Sequence, residues 1–158
     1  HKNHITLFDA WAELARQDIF PSLALTIDLS EKELLSKIED LKSMGVKITN
    51  LGTLTHEDII EKYQECGALI YPSLRESFGL PLVEASSLGL PILASELDYV
   101  HDVCRPTGTF DPNSFRSITR AVKAFLTIDE SIPAINPPIK FLEYIFSRTS
   151  EGVSDDDR

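Results

Sequence analysis

Residues 68–94 read ALIYPSLRESFGLPLVEASSLGLPILA. Ala68–Tyr71 is a short apolar run of the kind that forms a buried strand. A loop follows from Pro72 to Ser77. ESFGLPLVE, residues 76–84, then leads into a helix. Pro81 suits its first turn, because proline lacks the N–H that would be orphaned there. Gly89 ends it, and Pro91–Ala94 is the next strand. Strand, loop, helix and strand in succession make the unit of a parallel sheet.

The same alternation extends in both directions. Residues 4–17 place Ile5, Phe8, Ala12 and Ala15 at helical spacing. Residues 22–28 read as a strand. Ser30 with Glu33 matches the S-x-x-E capping box, ahead of an apolar face of Leu34, Leu35, Ile38 and Leu41. Gly45 stops that helix. Residues 46–51 form another strand, and Gly52 turns the chain. Thr55 with Asp58 opens a helix that runs to Gly67. Beyond residue 94 come a short helix near 99–103 and an amphipathic helix over 114–127. The expected fold is therefore an α/β, Rossmann-like, doubly wound parallel sheet with helices on both faces. Its first element is a helix, so the opening strand is expected before residue 1, in a longer chain. The expected domain is 1–131. Residues 132–158 are expected to hold a Pro-rich linker (IPAINPP, 132–138), a short C-terminal helix and a disordered acidic tail.

Composition narrows the function. The 158 residues are 42% hydrophobic, enough for one domain with a real core. No apolar run approaches the roughly 20 residues of a membrane span. The formal net charge of −10 opposes binding to nucleic acid, which needs a basic surface. Cys66 and Cys104 lack metal-ligand spacing and read as buried thiols rather than a disulfide or zinc site, which points to the cytoplasm. His1, His4, His56 and His101 show no catalytic pattern, so a surface or capping role is expected for each.

The chemistry is concentrated in residues 76–84. Ligands of open α/β sheets bind at the carboxyl ends of strands, where this loop lies. Gly79 allows a tight turn or a close approach. The free amides of the first turn attract an anion. Glu76 precedes the helix and Glu84 lies about one turn inside it. Carboxylates only accept hydrogen bonds, so they suit hydroxyl donors. A sugar nucleotide, with hydroxyl-rich groups on either side of a diphosphate, fits that layout. Equally, a Glu near a helix N-terminus is favourable through the dipole alone. On the residues alone both readings stand.

ESFGLPLVE followed by ASSLGLPILAS resembles the signature of retaining glycosyltransferases of the two-domain GT-B type, the large family-four group. HKN at the start resembles the step that opens their donor-binding half. LGTLTHEDIIEKYQECGALIYPS and DPNSFRSITRAVKAFL resemble the segments before and after the signature. The resemblance implies that Glu76, the candidate catalytic residue, contacts the transferred sugar and that Glu84 contacts the ribose hydroxyls. Ser77 and the amides of Phe78, Gly79 and Leu80 would lie by the sugar and diphosphate. Lys2 would meet the diphosphate; its plainer reading is a solvated surface lysine. Leu51, Gly52 and Thr53 would lie beside the base; on physics alone they form an ordinary turn. The arginine that partners the lysine in the family would lie upstream.

The resemblance further implies a nucleotide-sugar substrate, no cofactor and no bound metal. The one run of close aspartates, Asp155–Asp157, reads as a solvated tail. The implied partner is an acceptor-binding N-terminal domain, which is also where any peripheral membrane contact would arise. Two rival readings remain at this level. One is a sugar-nucleotide epimerase of the same architecture. The other is a noncatalytic Rossmann-like interaction module, in which both glutamates serve only the helix.

Overall fold

Six parallel strands form one sheet in the order β2-β1-β6-β3-β4-β5. The structure is a computed structural model and describes residues 2–130 and 140–143. In chain order the elements are α1 (His4–Arg16), β1 (Ser22–Leu25), α2 (Lys32–Ser43), β2 (Ile48–Asn50), α3 (His56–Glu65) and β3 (Ala68–Tyr71). They continue as α4 (Leu80–Ser87), β4 (Ile92–Ser95), α5 (Asp98–Val103), β5 (Gly108–Phe110), α6 (Phe115–Glu130) and β6 (Lys140–Glu143). The linker expected at 132–138, the acidic tail and His1 lie outside the described residues.

Helices cover both faces, as the alternation requires. Successive strand residues point to opposite faces, so the core divides in two. Leu23, Leu25, Ile70, Leu93 and Phe141 pack with α1, α2 and α6. Ala24, Leu69, Tyr71, Ala94 and Leu142 pack with α3, α4 and α5. Cys66 and Cys104 are buried in this second cluster. Trp11 anchors the first, with its indole N–H donating to the Pro21 carbonyl at 3.0 Å.

Four local expectations change. The apolar stripe of α1 is Leu7, Phe8, Trp11, Leu14 and Ala15, while Ile5 is exposed. The true face is set by the i, i+4, i+7 series beginning at Leu7 and brings in the bulky Trp11. The capping box expected at Ser30 and Glu33 does not form, because α2 starts at Lys32 and no side chain caps it. Asp28 instead accepts from the Ser30 N–H at 2.8 Å, an Asx turn that holds Ser30 outside the helix. The GTF strand β5 was missed. Finally, β6 lies in the middle of the sheet, parallel to both β1 and β3. A boundary at residue 131, with a linker and short helix beyond it, had left this segment outside the domain. The place between β1 and β3 is thus occupied by residues 140–143.

Candidate functional site

The sheet reverses its winding between β1 and β3, since β2 is added on one side and β4 and β5 on the other. Such a switch point leaves a crevice outside the carboxyl ends of the strands. Here it holds a cavity of about 550 Å³, lined by Lys2, His4, Thr26, Asp28, Glu31 and Thr53 among others. Two sequence-predicted residues, Lys2 and Thr53, therefore share one cavity. Glu76 and Glu84 stand outside its lining.

Asn3 fixes the start of α1 at this cavity. Its backbone is left-handed, φ 62°, a conformation asparagine tolerates better than most residues. Its amide donates to the carbonyls of Pro72, at 3.1 Å, and Pro112, at 2.7 Å. Lys2 is thereby tied to the loops that follow β3 and β5. Burial pushes the Lys2 ammonium below its usual range, while the charges of Glu143, Glu76 and Glu31 pull the other way. The resemblance carried by HKN assigned a role to Lys2 and none to Asn3, which holds the start of α1 in place.

Glu76 is held on the loop after β3. The Ser73 hydroxyl donates to Glu76 Oε1 at 2.8 Å, and the Tyr99 phenol donates to the Ser73 carbonyl at 2.8 Å. Burial, and then the Glu76 charge, raises the Tyr71 phenol far above its ordinary range. The same two causes push Tyr99 up to about 12. Both phenols thus stay protonated beside the carboxylate. Gly79 caps α4 from the left-handed region, φ 62°, with Pro81 in the first turn. Phe78 and Leu80 are exposed and Gly79 is buried, so the loop presents its edge to solvent.

Glu84 faces α3 instead. Its Oε2 accepts from the Tyr63 hydroxyl at 3.2 Å, and its Oε1 stands 3.6 Å from His56 Nδ1. Gly52 turns at φ 67° with open space around it. Asn50, which sequence reasoning missed, sets this turn. Its Oδ1 accepts from the N–H groups of Ile27, at 2.9 Å, and Gly52, at 3.1 Å. Its Nδ2 donates to the Ile27 carbonyl at 2.9 Å. The loops after β1 and β2 are joined by that one side chain.

His4 and Glu143 were also missed. Glu143, at the carboxyl end of β6, is fully buried, with its Oε2 3.3 Å from His4 Nε2. Among the described residues neither Glu143 oxygen nor His4 Nε2 has a hydrogen-bond partner. The pair is close enough to attract and too poorly aligned to bond. Of the surface or capping role expected of it, His4 takes neither: its side chain is nine-tenths buried, and no side chain caps α1. No single motif could reveal the pair, because its members come from opposite ends of the chain.

Residues 1–135 match the family described as Glycosyl transferases group 1. The chain is 30% identical over 132 residues to the serotype-specific mannosyltransferase WbdA of Escherichia coli, covering 80% of this chain and 16% of that protein. It is 28% identical over 91 residues to the O-antigen chain mannosyltransferase RfbU of Salmonella typhimurium, covering 57% of this chain and 26% of the relative. Its fold is similar to that of sucrose-phosphate synthase from Thermosynechococcus elongatus, with a TM-score of 0.65 at 23% identity, over 80% of this chain and 33% of that one. The chain thus spans between about one-sixth and one-third of the proteins it resembles. No helix among the described residues is long and apolar enough to cross a membrane.

Proposed function

The chain belongs to the group 1 glycosyl transferases, and from that premise we propose that it is the donor-binding domain of a retaining hexosyltransferase. The observation that carries this reading is the cavity at the switch point, which Lys2 and Thr53 both line together with Leu74 of the loop bearing Glu76. The diphosphate lies by Lys2 and the first turn of α1. The base lies toward Gly52 and Thr53, and Glu84 accepts the ribose hydroxyls. Glu76 accepts from the hydroxyls of the sugar and is the candidate catalytic residue.

Sugar loss from the donor builds negative charge on the departing diphosphate. Lys2 and helix amides stabilise that charge without a metal. Glu76 contributes position: Ser73 fixes its carboxylate before the donor arrives. The mannosyltransferase relatives make a mannosyl donor the first to try, in a cytoplasmic setting. In this reading the acceptor is held by a second domain of a longer protein. Near-attack positioning of both substrates supplies about 7–11 kcal/mol of such a barrier, so this domain with donor alone transfers nothing.

Calorimetric titration with UDP, GDP and ADP tests the proposal. One of the three should bind, and at 100 times its Kd it should stabilise the fold by about 2.7 kcal/mol. If none of them binds or shifts the melting curve, the chain is a noncatalytic module and the reading is wrong.

A further inference from the structure

A second cavity lies between α1 and α6. It measures about 250 Å³ and is lined by Glu13, Gln17, Arg116, Thr119, Arg120 and Lys123. Ordinary organic ligands occupy pockets of roughly 300–1,000 Å³, so this one suits a small group. Glu13 stands nine residues beyond His4 along α1. At about 1.5 Å of rise per residue that is about 13 Å from the helix start at the switch point. The two cavities are therefore separate sites.

α6 carries Arg116, Arg120 and Lys123 at i, i+4 and i+7, which places all three on one face. Residues 115–127 contain no acidic residue, in a chain of net charge −10. Like charges three and four residues apart repel and weaken a helix, so this stripe is a cost to the fold that a bound anion would offset. Glu13 is the carboxylate in the lining, and it is already engaged. The Gln17 amide donates to its Oε1 at 2.8 Å, and Arg16 stands 3.3 Å from its Oε2. Three positive charges thus remain over the cavity.

These cations stand on a fixed frame. The Arg116 guanidinium lies 5.5 Å from the centre of the Phe115 ring. Lys123 donates to Gln17 Oε1, a neutral acceptor, at 2.7 Å. The Thr119 hydroxyl reaches the carbonyls of Phe115, at 2.9 Å, and Ala10, at 3.4 Å, and so ties α6 to α1 beneath the cavity. Ile118, Val122 and Phe125 turn the apolar face of α6 into the core. The helix therefore has no apolar face to lay into a bilayer, and recognition here is by charge. Guanidinium forks match the oxygens of a phosphate in pairs. A phosphate monoester, at about −1.5 to −2 near pH 7, answers most of the three charges, and a single carboxylate does not.

We propose that the α1–α6 cavity is a binding site for a phosphate monoester group, free or carried by a phospholipid headgroup, held by Arg116, Arg120 and Lys123. This site goes beyond the donor reading and does not rest on it.

The test titrates the chain by calorimetry at low ionic strength with inorganic phosphate, against sodium chloride of matched ionic strength. The chain is also sedimented with phosphatidylcholine vesicles, with and without phosphatidic acid. Phosphate should bind, and Arg116→Gln or Arg120→Gln should weaken it by about tenfold each, the worth of one charge-assisted bond. Lys2→Gln, at the switch-point cavity, should leave phosphate binding unchanged. Arg120→Gln should leave the titrations with UDP, GDP and ADP unchanged. Sedimentation that needs phosphatidic acid and is lost in the same arginine variants assigns the headgroup source; binding in solution without it assigns free phosphate. No response to phosphate or to phosphatidic acid overturns the proposal. So does a response equalled by sodium chloride, or one lost in Lys2→Gln and kept in both arginine variants. The melting temperature of ligand-free Arg120→Gln should hold or rise, because repulsion is relieved. If it falls instead, Arg116→Gln and Lys123→Gln decide the binding.

Discussion

The two glutamates of ESFGLPLVE were legible because motif and helix start are contiguous. Their surroundings differ, and so do the tests of the role proposed for each. The Glu84 carboxylate accepts from Tyr63, a contact that an amide oxygen can also accept. Glu84→Gln should therefore keep the fold and lose the charge-assisted part of ribose binding. We expect nucleoside diphosphate affinity to fall by roughly 1–3 kcal/mol; titration of the variant with unchanged affinity would remove the ribose role. Glu76 is held by Ser73 on the loop ahead of α4. Glu76→Ala should weaken the intact sugar nucleotide more than the bare diphosphate. Equal losses for the two ligands, measured side by side, would mean that the residue does not read the sugar. His4, Glu143 and Asn50 escaped the sequence because each acts through a partner distant in the chain. A lone histidine or asparagine has no local pattern that reveals such a partner.

Elements were read most securely where local chemistry had no competitor. Thr55 and Asp58 form the capping box their spacing implies: the Thr55 hydroxyl accepts from the Asp58 N–H, and the Asp58 carboxylate accepts from the Thr55 N–H. Ser30 and Glu33 have similar spacing and form none, because Asp28 captures the Ser30 N–H first. The strand β5, only GTF, is too short and too glycine-bearing for periodicity to register. Thr55→Ala should cost about 1 kcal/mol by the usual worth of an N-cap. Its pH dependence follows from Asp58, whose carboxyl is held below its ordinary value of 3.8 by the Thr55 hydroxyl and then the Thr55 N–H. A carboxylate depressed in the folded state stabilises above its unfolded pKa and loses that contribution as pH falls through the folded one. The gap between wild type and Thr55→Ala should be largest above about pH 5 and narrow below 3.8. Urea denaturation at several pH values measures it, and a gap that is constant with pH would show that Asp58 does not share in the cap.

At the scale of the molecule, fold class was legible and strand order was not. Alternating helix and strand patterns require a parallel sheet with two covered faces. Nothing in them says which strand fills the slot between β1 and β3, because that is decided by contacts between segments far apart in the chain. Residues 139–146, IKFLEYIF, form an apolar run that suits helix or strand equally, so its length and pattern do not choose. Packing chooses at Phe141. Its ring is fully buried and meets Trp11 edge-on at 5.6 Å and Phe125 at 5.7 Å between centroids. This one side chain joins β6 to α1 and α6, two of the three helices that cover that face. Phe141→Ala should therefore cost about 3–5 kcal/mol, the range for truncating a buried aromatic. Ile48→Val, on edge strand β2, should cost only about 0.5–1.5 kcal/mol. The two variants compared by urea denaturation test the topology itself. If Phe141→Ala costs no more than Ile48→Val, β6 does not occupy the centre of the sheet in solution. Glu143 would then not be delivered to the position 3.3 Å from His4 Nε2.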